Sequence, residues 1–241
     1  MRYGIFSDVH SNLEAMEAVL QAFRKEKVDR YFCVGDIVGY GANPHECIEI
    51  VKDLKAPCVA GNHDWAVVDR VDTRYFNPIA KMAVSWTKDS ISPDDKAYLE
   101  NLRLVDKTDD FIIVHGTLQE ALYFHYLTEE GQAKAMFGLM DRDVCFVGHT
   151  HVPGVFVQKK QQVAYMLYSK ITLDGHAKYI VNVGSVGQPR DGNPMACYCV
   201  YDTEEKTVAI KRVNYNVEEA QRKIIDVGLP PFLASRLAAG K

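Results

Sequence analysis

Five short segments place metal-type ligands directly after an apolar run. Phe6-Ser7-Asp8-Val9-His10 offers a carboxylate and an imidazole two residues apart. Tyr31-Phe32-Cys33-Val34 runs into Gly35-Asp36, a carboxylate with little bulk beside it. Val59-Ala60 leads to Gly61-Asn62-His63-Asp64, Ile112-Ile113-Val114 to His115-Gly116, and Phe146-Val147 to Gly148-His149-Thr150-His151. A carboxylate and imidazole set suits manganese, iron or zinc. Taken singly, Asp8-x-His10 and His149-x-His151 read as surface or capping residues, and Asn62-His63-Asp64 as a turn and helix cap. Together the segments hold five of the 8 histidines. If the runs are neighbouring strands, their ends converge on one point, with Asp36 at its centre.

The elements that must bring them together follow from periodicity. Residues 2–7 read as a strand. Leu13, Met16, Val19, Leu20 and Phe23 give a helical period from residue 12 to about 25, capped by Ser11 or Asn12. A strand at 31–34 then completes a right-handed parallel βαβ unit. A helix at 45–54 and a third strand at 58–60 extend what reads as a doubly wound α/β sheet, where ligands sit beyond the carboxyl ends of strands. Residues 65–102 read as mostly helical, broken at Asn77-Pro78 and Ser92-Pro93. Strands follow at 104–107, 111–114 and 144–147, with a helix at 129–140. Residues 117–128 are aromatic and show no period. Beyond Val152, strands are expected at 154–158, 163–168, 179–183, 197–201 and 208–213, and helices at 216–227 and after Pro230-Pro231. No repeat or linker interrupts this order, so one domain over 1–241 is expected, with a helical tail from about 216.

Composition narrows the function classes. The chain has 241 residues, 47% hydrophobic and 25% charged, ordinary for a soluble globular protein. A net charge of -4 gives no basic surface to recommend nucleic acid as a partner. The 6 cysteines include no CxxC pair and mostly sit in apolar runs, as buried small hydrophobes do in a reducing compartment. The N-terminus reads directly as a strand rather than a signal peptide, and no segment nears the roughly 20 apolar residues of a membrane span. A cytoplasmic protein without a membrane partner is expected, and homo-oligomer formation stays open.

As a set, Asp8-x-His10, Gly35-Asp36, Gly61-Asn62-His63-Asp64, His115 and Gly148-His149-x-His151 resemble the signature of the calcineurin-like metallophosphoesterases. The run Asn182-Val183-Gly184-Ser185-Val186-Gly187-Gln188-Pro189-Arg190 extends the likeness. The branch it resembles is that of small bacterial and archaeal phosphodiesterases, related to diadenosine tetraphosphatase-type enzymes. The resemblance implies a mixed α/β fold, a four-layer αββα sandwich of two mixed sheets flanked by helices. It implies two divalent metals, manganese first, with iron, zinc, nickel and cobalt as alternatives. Asp8, His10, Asp36 and His151 would hold one metal, and Asp36, Asn62, His115 and His149 the other. Two dications outweigh two carboxylates in charge, which suits a phosphate ester and lowers the pKa of a bridging water. His63 would protonate the leaving oxygen, with Asp64 bonding it to favour the imidazolium. Arg190 would contact substrate phosphate.

The implied activity is hydrolysis of phosphodiesters or phosphomonoesters of small substrates, nucleotides or aryl phosphates. Diadenosine polyphosphate hydrolysis and a non-catalytic scaffold on the same fold are the alternatives, the scaffold disfavoured by the full histidine set. No Arg follows Asp36 closely and Asp64 stands where phosphoprotein phosphatases have Glu, which counts against a Ser/Thr phosphoprotein phosphatase. Gly116-Thr117-Leu118-Gln119 lacks the Arg that many small phosphodiesterases carry after that His. The pocket walls are expected between Gly116 and Thr128, where Tyr123, Phe124, His125 and Tyr126 could face a nucleoside or aryl group, and at the loop ending in Arg190. With no P-loop and no activated Ser or Cys motif, water should attack directly and no phosphoenzyme should form.

Overall fold

A computed structural model describes residues 1–241. Its first strand, β1 (Arg2–Phe6), pairs in parallel with β2 (Arg30–Cys33) across helix α1 (Leu13–Glu26). Helices α2 (Pro44–Asp53), α3 (Asn62–Ala66), α4 (Pro78–Ser90) and α5 (Pro93–Glu100) follow. Asn77 and Ser92 cap the last two, each with proline as the first helical residue, where its missing N–H costs nothing. Strands β3 (Val105–Lys107) and β4 (Ile112–Val114), helix α6 (Glu130–Leu139) and strand β5 (Val144–Val147) complete the first two thirds. Strands β6 (Gly154–Lys159), β7 (Gln162–Met166), β8 (Lys170–Thr172), β9 (Ala177–Asn182), β10 (Ala196–Asp202) and β11 (Thr207–Val213) come next, then helices α7 (Val217–Asp226) and α8 (Pro231–Ala239).

The strands form two mixed sheets, ordered β2-β1-β10-β11-β8 and β3-β4-β5-β9-β6-β7. Side-chain alternation sorts them into layers. Tyr3 and Ile5 of β1 meet Val144 and Phe146 of β5 and Tyr179 and Val181 of β9 in a core between the sheets. Edge-on aromatic contacts of Phe111 with Tyr3, Phe32 and Phe146, at 4.8–5.3 Å between ring centres, knit that layer. Phe6 and Val200 face the other way, onto α1 and α2, while Cys145, Val147 and Ile180 face α6. Five of the cysteines are buried and all are free thiols.

Two expectations about the first sheet are corrected. It is not doubly wound, because the neighbour of β1 is the antiparallel β10. Residues 58–60 make only isolated bridges, Cys33 to Cys58 and Val59 to Arg103, and add no strand to either sheet. The run bridges the end of β2 to Arg103, which lies in no strand. The short β8 has too few residues to show alternation and has no counterpart in the sequence reading.

One side chain ties the first ligand loop to the last. Asn12 caps α1 by accepting from Ala15 N, and its Nδ2 donates to the carbonyl of Gly187 at 2.8 Å. Asn12→Ala removes the cap and leaves a buried carbonyl unpaired. It should cost about 2 kcal/mol, seen in a thermal melt as a midpoint lower by roughly 4–8 °C.

Candidate metal centre

Four of the five ligand segments leave a strand at its carboxyl end, while Asn62 opens α3, and the strands belong to both sheets. Asp8 follows β1 and Asp36 follows β2 in one; His115 follows β4 and His149 follows β5 in the other. Backbone bonds from Asp8 N to Gly35 O, His10 N to Asp36 O and Ser11 N to Ile37 O zip the first two loops together. The chain there is not extended. Asp8, His10, Asp36, His149 and His151 have φ of 53°, 47°, 53°, 68° and 60°. Left-handed backbone costs about 1–3 kcal/mol per non-glycine residue and gathers at functional sites. It sets the paired ligands of Asp8-x-His10 and His149-x-His151, which two-residue spacing in an extended chain would point the same way.

The two carboxylates are held alike. Asp8 Oδ2 accepts from His149 N at 3.1 Å, and Asp36 Oδ1 accepts from His63 N at 2.8 Å. The remaining oxygens face imidazoles: Asp8 Oδ1 lies 3.2 Å from His151 Nε2, and Asp36 Oδ2 lies 3.2 Å from His115 Nε2 and 3.6 Å from His10 Nε2. Gly61 makes this approach feasible, since a Cβ there would stand 2.0 Å from Asp36 Oδ1. The ligand atoms of Asp8, His10 and His151 fall into one group, and those of Asp36, His115 and His149 into a second. Asn62 Oδ1, buried and without a partner, is the further oxygen from α3.

Hydrogen bonding fixes what these rings can do. His10, His115 and His151 each donate Nδ1–H to a backbone carbonyl, those of Val38 (2.9 Å), Val34 (2.7 Å) and Gln188 (2.6 Å). A carbonyl only accepts, so in the neutral rings Nε2 carries a lone pair. His10 Nε2 and His151 Nε2 nevertheless face each other at 3.1 Å. Two lone pairs at that distance, beside the unpartnered Asp8 Oδ1, call for a cation between them. The residues therefore fit two divalent metals.

The titration pattern agrees. Burial alone would raise Asp8 and Asp36, yet both are held below the usual range, Asp8 chiefly by His151 and Asp36 chiefly by His115. Burial would lower His115, but Asp36 and Asp8 pull it up to about 10. Burial pushes His149 down to about 3 and His63 down to about 4, and it lowers His10 and His151 as well.

His149 differs from the other ligand rings in having no carbonyl anchor. Tyr126 stacks on it instead, with ring centres 3.9 Å apart and planes within 15°. Tyr126→Ala should weaken one of two metal-binding steps about tenfold, and Tyr126→Phe should retain it, as read by calorimetric titration with manganese.

His63 belongs to neither ligand group. Its ring packs on His10, Tyr40 and Phe76, and its Nδ1 sits where a Cβ on Gly39 (φ 93°) would come within 2.6 Å. Asp64 does not reach that ring. Its Oδ1 accepts from Ile37 N and Val38 N and its Oδ2 from Gly61 N, at 2.8, 3.2 and 3.0 Å. Consecutive helix residues point about 100° apart, so Asp64 folds back on the turn it caps while His63 faces out. Burial, followed by the charge of Asp36, raises Asp64 to about 7. Arg190 bonds Gln188 Oε1 at 2.9 Å and lies 5.8 Å from the Tyr40 ring centre. Its charge adds to the burial that lowers His63 and His151.

A cleft of about 510 Å³ opens from Asn62, His63 and His149. One wall is the expected aromatic one, with Leu122, Tyr123, Phe124 and Tyr126. The other runs from Arg70 to Ala80 and includes Tyr75 and Phe76. His125 and the Arg190 loop are not part of it. The sequence reading missed this second wall: Tyr75 is exposed and Phe76 half-buried against His63, which shows only once the fold is known.

Carboxylates and imidazoles gathered at the strand ends of two facing sheets define a metal-dependent phosphoric ester hydrolase. Residues 1–206 match the calcineurin-like phosphoesterase superfamily domain, and the chain belongs to that family. It is 39% identical to the uncharacterized protein MJ0912 of Methanocaldococcus jannaschii, over 98% of this chain and 97% of that one. The crystal structure of a metallophosphoesterase from Sphaerobacter thermophilus superposes with a TM-score of 0.87 at 39% identity, covering 100% of this chain and 99% of that one. Hypothetical protein PH1004 from Pyrococcus horikoshii shares the fold, with a TM-score of 0.82 at 18% identity over 100% and 98% of the two chains. No helix is long and apolar enough to cross a membrane.

Proposed function

We propose that the protein hydrolyses small phosphodiesters at a dinuclear centre bridged by Asp36, with manganese as the first metal to test. The observation that carries this reading is the pair of facing lone pairs on His10 and His151, beside the unpartnered Asp8 Oδ1. Asp8, His10, Asp36 and His151 would hold one metal, and Asp36, Asn62, His115 and His149 the other. Two dications supply Lewis acidity toward phosphoryl oxygens and the acidity that makes water a nucleophile near neutral pH.

The chain supplies the rest. Asp8 and Asp36 stay ionised, each locked by one backbone N–H, so the centre keeps its charge and shape. His63, with Nδ1 enclosed and Nε2 without a protein partner, gives a proton to the departing oxygen, the anionic phosphate beside it raising a pKa that burial holds at about 4. Asp64 serves by tying Ile37, Val38 and Gly61 together rather than by touching His63. Arg190, close to His63 and His151, meets charge on the phosphoryl oxygens. Hydrolysis by direct displacement inverts configuration at phosphorus, and a chiral thiophosphate diester reads that out.

The aromatic cleft favours a second reading, a dinucleoside polyphosphate as substrate. A panel of phosphomonoester, phosphodiester and dinucleoside polyphosphate, run on chelated and manganese-reconstituted protein, separates the two. The diester should turn over fastest and only with metal. Metal-independent turnover, or none of any ester, would contradict the proposal.

A further inference from the structure

The cleft carries an inference about which part of the substrate is recognised, and it rests on the reading of His63 above. Its walls concentrate exposed aromatic surface: Tyr75 is 90% exposed, Tyr123 66% and Tyr126 50%. Apolar faces left to water in this number, and opposed across one opening, mark a binding surface. They come from segments far apart in sequence, residues 72–80 and 122–126, brought together only at the mouth of the metal centre. A volume of about 510 Å³ lies within the roughly 300–1,000 Å³ of small-molecule sites.

The charged groups of the cleft are already engaged. Arg70 donates to the carbonyl of Glu100 and lies 4.2 Å from the Trp65 ring centre, and Asp72 accepts from Arg74. Arg70 keeps its charge but is packed on Trp65, and the tyrosine faces themselves are apolar, so the group they take is flat and uncharged. At the inner end stands His63, the proton donor to the departing oxygen, so the cleft lies on the departing side of phosphorus.

We propose that the cleft binds the leaving alcohol of the phosphodiester, and that this alcohol carries an aromatic ring system of nucleoside size. A bond forms between the oxygen of water and phosphorus, and the bond from phosphorus to the alcohol oxygen breaks. That oxygen takes a proton from His63, and the proton lost by water restores the balance, so diester and water give monoester and free nucleoside. Tyr75 and Tyr123 sandwich the base, and the retained half of the diester stays outside.

Adenosine 5′-(methyl phosphate) tests this, because it has two departing alkoxides of similar basicity. The manganese-loaded protein should release adenosine and methyl phosphate in about tenfold excess over AMP and methanol, the scale of base–aromatic stacking. Tyr75→Ala and Tyr123→Ala, both exposed positions, should each bring the ratio severalfold closer to parity. Benzyl methyl phosphate is the companion substrate. Bias in the adenosine diester alone assigns a nucleoside, and bias in the benzyl diester assigns any aryl alcohol. AMP and methanol as main products, without bias in the benzyl diester, would overturn the proposal. Adenosine itself should also bind the manganese-loaded protein, with loss of binding in the double variant. If neither diester is cleaved, the proposed function fails, and the adenosine titration still decides the cleft: no binding overturns the inference.

Discussion

Asp36→Asn should leave a folded protein that holds less than half the manganese of the wild type and has lost diesterase activity by at least about 10³-fold. The amide keeps an oxygen for the His63 N–H, so the loop between β2 and Gly39 retains its main anchor. What it loses is charge. Asp36 Oδ2 stands 3.2 Å from His115 and 3.6 Å from His10, members of the two different ligand groups, so both groups depend on one carboxylate. A neutral amide cannot offset two dications at that point. Elemental analysis after manganese loading and desalting measures the effect, with a thermal melt to show that the fold persists. Full occupancy by two metals in the variant would remove Asp36 from the centre.

His63→Ala should behave in the opposite way, keeping its metals and losing rate. The ring is outside both ligand groups and makes no side-chain hydrogen bond, so its removal disturbs packing against Tyr40 and Phe76 more than it disturbs the ligands. Loss of a general acid costs about 10²–10⁴ in rate when the departing oxygen is strongly basic. The defect should shrink sharply for p-nitrophenolate, which leaves without a proton. Two metals per chain, a steep rate loss on an alkyl diester and a shallow one on a p-nitrophenyl diester make up the expected set. Equal losses on both would assign His63 a structural part.

How far the sequence announces this site depends on the kind of information involved. Asp8, Asp36, His115 and His149 are legible because an apolar run ending in a ligand has a local cause, and strands do end there. The helices that flank the site are legible from caps such as Asn12, Asn77 and Ser92, whose bonds lie within a few residues. Properties made by distant contacts are not. That β1 and β4 lie in different sheets depends on β10 pairing with β1 from nearly 200 residues away. The backbone turns at His149 and His151 send those two rings to different ligand groups, although residues two apart point together in extended chain. Asp64 adjoins His63 in sequence but turns away from it, because capping the turn at Gly61 satisfies three backbone donors at once. The wall from Arg70 to Ala80 lies in a region whose helical period shows nothing of the cleft it faces.

The most direct test of the central claim is reconstitution. Protein stripped with a chelator should be folded and inactive toward a p-nitrophenyl diester. Stepwise manganese should restore activity until two equivalents are bound, with little activity at the first. Bound metal also stabilises the native state, by about 2.7 kcal/mol when free metal is 100 times Kd, so the melting temperature should climb over the same range. Activity that survives chelation, or that is complete after one equivalent, would contradict a dinuclear centre.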